Sequence, residues 1–372
     1  MAVGGARRLE RVTPVEALER VVHCLDRAHD TGFKTKAFVR ALDVVRSTPS
    51  LEIANRAAAG TLTDLDGIGQ SSATVIEQAL AGGPQQYLER LEATTEVPIT
   101  PDGRRYRQAL RGDCHLHSRW SDGGATIEAM ARTAIALGHD YMVLTDHSPR
   151  LTVAHGLSRE RLGQQVADVT ELNARLAPFR ILSGIEVDIL EDGTLDHDDE
   201  VLAGLDIVVA SVHSKLRMGE EQMTERMVRA VSSPHVDILG HCTGRMIDKR
   251  EPSSFDADAV FEACVRNRTA VEINCRPERL DPPRPLLRRA IELGCLFAID
   301  SDAHATGQLE WQPLGCDRAA ECSVPLDRVV NAWPVDELLR WAHGAQPVAS
   351  WPYVEEDQEA QGEAPPLQGE PR

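Results

Sequence analysis

Apolar residues in the first quarter of the chain recur at helical spacing. From Val15 to Leu25, and again from Phe38 to Val45, they fall every three or four residues, which places them on one face of a helix. Residues 13–96 have this pattern throughout and lack the alternation that is typical of strands. We therefore predict a small, entirely helical region here.

The pattern changes at Gly112, where short apolar runs begin to alternate with helical stretches. Seven strand–helix units favour a parallel barrel over an open sheet, so the predicted fold class is α/β, a seven-stranded (β/α) barrel preceded by a small all-α domain. The predicted strands are Cys114–His117, Tyr141–Thr145, Arg180–Val187, Ile207–Val212, Val236–Gly240, Ala270–Asn274 and Cys295–Asp300.

Composition divides the chain into four predicted segments. Residues 1–96 form the helical region, and residues 112–353 form the barrel. Residues 97–111 hold two Pro, one Gly and four Arg, and are expected to be a linker. Residues 354–372 are acidic and poor in apolar side chains, so we expect them to be disordered.

The helical region contains a Gly-x-Gly turn that opens a helix, LDGIGQSSATVIEQAL at 65–80. Glycine permits the tight turn, and the free amides of the following helix can bind a phosphate. This is a helix-hairpin-helix signature and predicts DNA binding, supported by Lys34, Lys36 and Arg40. However, residues 13–96 hold eight Lys and Arg against twelve Asp and Glu, a net charge of −4. A domain that binds protein, or only packs, remains an alternative.

Nine side chains that can bind metal fall at or just after the ends of the predicted strands. In a parallel barrel these ends meet at one face, where the active site lies. A single histidine in a barrel more often packs or forms a hydrogen bond than binds a metal. A purely structural role does not, however, account for six histidines and three carboxylates at successive strand ends. The predicted ligands are His115, His117, Asp122, His147, Glu186, His213, His241, Asp302 and His304.

Imidazole and carboxylate together favour zinc, manganese or iron over calcium or magnesium. Nine ligands are too many for one ion, so we expect two or three divalent ions with a bridging carboxylate. Two such ions activate water and clamp an in-line displacement at phosphorus. The set therefore predicts hydrolysis of phosphate esters without a protein nucleophile.

The formal net charge of −18 over 372 residues opposes long-range attraction to nucleic acid but permits local basic grooves. The sequence has no signal peptide pattern and no apolar run long enough to span a bilayer. Its eight cysteines include no CxxC pair. We expect a cytoplasmic protein without membrane contact, and its protein partners stay open.

The phrases HLHSRWSDG (115–123), TDHS (145–148), GIEVD (184–188), SVHS (211–214), GH (240–241) and SDAH (301–304) resemble the PHP (polymerase and histidinol phosphatase) family. The resemblance covers roughly residues 112–310 and implies a distorted seven-stranded barrel. It also implies three ions: one held by His115, His117, Glu186 and Asp302, a second by Glu186, His213 and His241, and a third by Asp122, His147 and His304.

Three further phrases, LTVAHGLS (151–158), GHCTGR (240–245) and EINCRPERLD (272–281), look like the PHP domain that ends bacterial family X DNA polymerases. The helical region resembles the first domain of those polymerases. About 15 residues join Glu96 to Gly112, which leaves no room for a nucleotidyl-transfer module. We therefore expect no polymerase activity.

The sequence thus predicts a metal-dependent phosphoric ester hydrolase that acts on DNA 3′ ends in repair, as a 3′–5′ exonuclease or a 3′-phosphatase. A small-molecule phosphatase, for example on histidinol phosphate, is the alternative, and a non-catalytic repair adaptor is the third hypothesis. Arg245 and His155 are the predicted catalytic contacts. Other candidates, for binding phosphate or orienting a ligand, are Lys215, Arg276, Arg279 and Asp113.

Overall fold

The computed structural model describes residues 12–30, 32–82 and 85–343. Seven strands of this part form one all-parallel sheet in sequential order. This confirms the predicted α/β class and strand count. The strands are β1 Gly112–Leu116, β2 Tyr141–Leu144, β3 Arg180–Asp188, β4 Ile207–Ser211, β5 Ile238–Leu239, β6 Ala270–Asn274 and β7 Leu296–Asp300.

Fourteen α-helices accompany the strands in the described residues. Six of them precede the first strand, and the first five of these form the all-helical region that the sequence predicts. The helices are α1 Pro14–Arg27, α2 Phe33–Ser47, α3 Ser50–Ala59, α4 Gln70–Ala81, α5 Gln86–Thr95, α6 Pro101–Ala109, α7 Ile127–Ala136, α8 Arg159–Leu176, α9 Asp199–Leu202, α10 Glu220–Val231, α11 Ala257–Asn267, α12 Arg284–Leu293, α13 Gln312–Cys322 and α14 Val335–Ala342.

The barrel nearly closes between its first and last strands. Instead of a regular ladder, the amide of Cys114 donates to the side chain of Asp300 at 2.8 Å. Just beyond the strand ends, the amide of His117 donates to the carbonyl of Ala303 at 2.7 Å. This junction places the turn after β7 beside the turn after β1, and both turns carry predicted ligands.

The helical region has its own apolar core and also packs on the barrel. Leu18, Val21 and Ile76 are fully buried within it. Its helix α1 lies on the short 3₁₀ helix Thr306–Trp311, which follows the last predicted ligand. A Cβ atom at Gly307 would lie only 1.9 Å from the carbonyl oxygen of His23, so glycine permits this close approach.

The predicted linker, residues 97–111, contains helix α6. Thr100 caps this helix by accepting a hydrogen bond from the amide of Gly103, and Pro101 occupies its first turn. Threonine followed by proline is a helix start signal, which the sequence interpretation passed over in favour of the loop-like composition. Helix α6 packs along α13, where Asp317 accepts hydrogen bonds from Thr100. The division into domains remains a prediction.

Strand β5 is shorter than predicted. It covers Ile238 and Leu239, and at the residue before it the side chain of Asp237 accepts the amide of Val208 at 2.8 Å. The predicted disordered tail, residues 354–372, lies outside the described residues. Among the helices that the structure describes, none is both long and apolar enough to cross a bilayer.

Candidate metal centre

All nine predicted ligands converge at the carboxyl ends of the strands. Glu186 on β3 is the centre of the group: its Oε1 lies 2.9 Å from Nε2 of His241 and 3.2 Å from Nε2 of His213. Its Oε2 lies 2.8 Å from Nδ1 of His147 and 3.4 Å from Nε2 of His115. One buried carboxylate thus faces imidazoles on both sides, as a bridging ligand requires.

The remaining ligands lie around this carboxylate. Nε2 of His117 is 3.4 Å from Oδ1 of Asp302 and 3.6 Å from Oε2 of Glu186. Oδ1 of Asp122 lies 3.5 Å from Nε2 of His147 and 3.4 Å from Nε2 of His304. The distances join the nine side chains into one continuous cluster.

Three sets of side chains place ligand atoms within 4.8 Å of one another. They share members in a way that the resemblance does not imply, since His117 and His147 each belong to two sets. The sets are His117, Asp122, His147 and His304; His115, His117 and Asp302; and His147, Glu186 and His213. This clustering fits divalent metal ions, although the assignment of ligands to particular ions remains a prediction.

Unsatisfied polar atoms test whether ions fit this site. Nε2 of His115, both ring nitrogens of His117 and both carboxylate oxygens of Glu186 are buried without a hydrogen-bond partner among the described residues. Burying such atoms unpaired costs about 1–3 kcal/mol each, and more for a charged group. Five such atoms in one cluster would be strongly destabilising unless they bind something. Metal coordination would satisfy Nε2 of His115, one ring nitrogen of His117 and both oxygens of Glu186.

The carboxylates of the cluster are held in their ionised form. Burial alone would raise the pKa of Glu186, but the charges of His213, His115 and His147 outweigh burial and lower it well below its usual value. For Asp302, burial is likewise outweighed by Arg276 and His115, and its pKa is lowered. Burial lowers the pKa of His117, which keeps this imidazole neutral. Ionised carboxylate and neutral imidazole are the forms that bind metal. Burial would lower the pKa values of His115 and His213, but the neighbouring carboxylates outweigh burial and raise them, so both would release a proton when an ion binds.

A PHP domain model matches residues 113–276. A protein of Thermoanaerobacter sp. (strain X514) named "Probable phosphatase" is 31% identical over 206 residues, which are 52% of this chain and 79% of that protein. The chain belongs to the PHP family. This membership confirms the family predicted from the sequence and the predicted class of enzyme, a metal-dependent phosphoric ester hydrolase.

The PHP family also includes a longer relative of this chain. The DNA polymerase/3′-5′ exonuclease PolX of Bacillus subtilis (strain 168) is 44% identical over 223 residues, which cover 60% of this chain and 39% of that protein. This chain therefore spans well under half of that relative. Among solved structures, a histidinol phosphate phosphatase of Lactococcus lactis complexed with zinc, L-histidinol and phosphate has a TM-score of 0.41 at 17% identity, over 57% of this chain and 94% of that chain.

Glu272, in the middle of β6, supports two of the predicted ligands and was missed by the sequence interpretation. It is fully buried, its Oε1 lies 2.6 Å from Nδ1 of His115, and its Oε2 accepts the amide of His241. With Nδ1 occupied, His115 presents Nε2 to the centre. The available signal was an acid between apolar residues in the strand AVEIN. Asn274, two residues on, donates to Oδ2 of Asp302 at 3.0 Å.

Other acids hold the turns that carry ligands. Asp113 accepts the amides of His115 and Ser301, which agrees with the predicted orienting role. Asp188 accepts the amide of His213 at 3.2 Å. Asp146 is buried and binds the loop after His117 through Ser118 and Ser121, which positions Asp122.

The two predicted catalytic contacts lie at the edge of this arrangement. Arg245 donates to the backbone carbonyls of Arg279 and Leu280, so two of its nitrogens are engaged by the loop after β6. His155 is exposed, has a positive φ of 55°, and its carbonyl accepts a hydrogen bond from Arg161. Both catalytic roles remain predictions.

The three other candidate cations differ in surroundings. Lys215 is exposed and lies 3.7 Å from Glu191. Arg276 is engaged by Glu278 and by the turn that carries Asp302. Arg279 lies beside the centre with Nε 3.4 Å from Oδ2 of Asp302, while its buried Nη1 lacks a hydrogen-bond partner in the described part of the chain.

Proposed function

We propose that this chain hydrolyses phosphate esters at DNA 3′ ends, as a 3′–5′ exonuclease or 3′-phosphatase, with two or three divalent ions. The observation that carries the proposal is the position of the helical region. It packs on the segment that directly follows His304, so the region with the predicted helix-hairpin-helix turn adjoins the predicted hydrolytic centre. The 44% identity to the Bacillus subtilis polymerase/exonuclease supports the same class of substrate.

The hairpin turn has the backbone that phosphate binding needs. Gly67 has a positive φ of 100°, and Gly69 is the N-cap of α4. Gly69, Gln70 and Ser71 are exposed, so the first amides of this helix face solvent. Such amides and the positive end of the helix dipole bind phosphate groups.

The three predicted basic contacts of the helical region differ in how free they are to bind phosphate. Lys34 and Lys36 are exposed at the start of α2. Arg40 forms an exposed ion pair with Asp66 at 2.6 Å, which occupies part of its charge. We therefore infer that DNA contact at this surface depends mainly on the hairpin amides and the two lysines.

Bound ions in the centre would stabilise charge on phosphoryl oxygens and activate water for attack. The protein residues hold and orient the reactants. Glu186 and Asp302 supply negative charge for the ions, and Glu272 fixes the ring of His115. Arg279 offers an unpaired N–H beside Asp302, where it would bind a non-bridging phosphoryl oxygen of the substrate. His155, on the exposed loop, is proposed to contact the departing group.

A small-molecule phosphatase is the second candidate. The Thermoanaerobacter protein named "Probable phosphatase" matches over 79% of its length, which supports a function of the barrel without DNA. The net charge of −18 also fits a small substrate better than a polyanion.

A paired turnover assay tests the two functions. Manganese-loaded full chain is given 3′-end-labelled DNA with hydroxyl or phosphate ends, and separately histidinol phosphate, with Asp302→Ala as the control. Loss of label from DNA, abolished by Asp302→Ala, is the expected result. Phosphate release from histidinol phosphate alone would replace the DNA proposal with the second candidate.

A further inference from the structure

The turn that carries the last two predicted ligands is strained and held from outside the centre. Asp302 has a φ of 52°, a left-handed conformation that is unfavourable for a residue with a side chain. Nη1 of Arg276 donates to the carbonyl oxygen of Asp302 at 3.2 Å and lies 2.9 Å from Nδ1 of His304. Nδ1 of His304 is also 3.0 Å from that carbonyl. Arg276 therefore holds the turn and the His304 ring together.

Arg276 is in turn fixed by Glu278. Oε1 of Glu278 accepts from Nε of Arg276 at 3.0 Å and from Nη2 at 2.9 Å. Burial would raise the pKa of Glu278, but the charge of Arg276 together with hydrogen bonds to the carboxylate outweighs burial and lowers it, so the pair is ionised. Both side chains are largely buried, at 16% and 10% exposed, and buried pairs of this kind define a single geometry.

The next contact comes from the helical region. Nε2 of His29, in the loop between α1 and α2, lies 3.3 Å from the same Oε1 of Glu278. The His29 ring packs edge-on against Trp311 at 5.4 Å, and the guanidinium of Arg276 lies 5.8 Å from the centre of the same indole. Trp311 is fully buried, and its Nε1 donates to the carbonyl of Arg27 at 2.8 Å. One indole thus separates the helical region from Arg276 and contacts both.

We propose that His29, Glu278 and Arg276 form a positioning path through which the helical region sets the affinity of the Asp302–His304 turn for its metal ion. The helical region is then part of the hydrolytic unit, in addition to any contact with DNA. The proposal takes from the proposed function only that this turn binds metal, and it does not depend on the substrate.

Three variants of the full chain isolate this path. His29→Phe keeps a ring against Trp311 but removes the nitrogen that faces Glu278, whereas His29→Gln retains an N–H donor. His23→Phe is the matched control, because His23 contacts the same barrel segment through Thr306 and Glu310, away from Glu278. The measurement is the rate at which manganese-loaded protein releases ions to a chromophoric chelator, together with the melting temperature.

We expect His29→Phe to release ions several-fold faster, His29→Gln to approach the wild-type rate, and His23→Phe to lower the melting temperature without faster release. Glu278→Gln, a second variant on the path, should accelerate release by about tenfold at most, the lower end of the effect of removing a direct partner of a metal ligand, because Glu278 acts through Arg276. Wild-type release from both His29→Phe and Glu278→Gln would overturn the proposal, as would equal acceleration by His23→Phe. Because the readout is metal release, the result stands even if neither DNA nor histidinol phosphate is hydrolysed.

Discussion

Oε1 of Glu272 lies 2.6 Å from Nδ1 of His115, and both side chains are fully buried. The other carboxylate oxygen accepts the backbone amide of His241. A single acid therefore orients predicted ligands from β1 and from the turn after β5. It connects the two sides of the centre although it does not face the predicted ions.

Replacing Glu272 with glutamine should weaken metal binding by about 10- to 100-fold, the usual effect of removing the partner of a ligating histidine. The amide keeps the size of the side chain but gives up its charge. Metal affinity by competition with a chelator measures the change. Glu251→Gln, at an exposed acid, is the control, and equal affinity of the two variants would show that Glu272 does not orient His115.

Glu186→Gln should have a larger effect. Glu186 faces four imidazoles within 3.4 Å, so its charge serves more than one ion. We expect loss of at least one equivalent of bound metal and a fall in hydrolysis of at least about a hundredfold. Metal content by mass spectrometry and turnover of the substrate found in the paired assay test this. Full metal content in the variant would exclude a bridging role.

Arg279→Ala should lower hydrolysis about a hundredfold, the scale on which removal of a donor to developing charge affects turnover. The variant should have a lower kcat but nearly full metal content, because Arg279 contacts Asp302 but is not itself a predicted ligand. Arg266→Ala, an exposed arginine on α11 that lies 3.8 Å from Glu262, serves as the control. Unchanged turnover with full metal content would remove Arg279 from phosphate binding.

Stability should fall in acid partly through His139, which precedes β2, whereas the predicted ligand His147 follows that strand. Burial and the charge of Arg107 lower the pKa of His139 to about 3. In the unfolded chain a histidine has a pKa of about 6.5. The contribution of His139 to the free energy of unfolding is therefore fully present above pH 6.5 and is lost as the pH falls from 6.5 towards 3. At pH 5 the loss amounts to about 2 kcal/mol.

The variant His139→Gln, which cannot be protonated, tests this contribution. The difference in unfolding free energy between pH 7 and pH 5, measured by urea titration with a chelator present, should be smaller in the variant than in the wild type. Identical differences would mean that another group controls acid stability.

The convergence of the nine predicted ligands could be predicted because each lies at or just after the end of a predicted strand, and barrel topology brings strand ends together. His147 and His241 illustrate this, since each needed only its own strand to be placed. Glu272 could not be placed in the same way. Its role depends on which residue faces it across the barrel, and β6 alone does not give that information.

The contacts between the helical region and the barrel could not be predicted from the sequence either. His29 lies more than 200 positions before Glu278 and Trp311, which are themselves separated by α12 and β7, and none of the three belongs to a periodic pattern. Arg245 had the sequence context of a substrate contact, yet its donors face backbone carbonyls. The direction of a long side chain depends on tertiary packing, which local sequence does not specify.

Helix α6 has a consequence for how this architecture accommodates other modules. Tyr106 on α6 donates to the carbonyl of Val324, and Asp317 binds Thr100, so residues from about 97 onward are fastened to the barrel. Glu96, immediately before them, is exposed. Excision at Gly112 would uncover the groove along α13 and invite aggregation, whereas a folded insert with adjacent ends could enter at Glu96 without disturbing either core. We therefore expect the position that tolerates an insertion to lie at Glu96, one helix before the change in sequence pattern at Gly112.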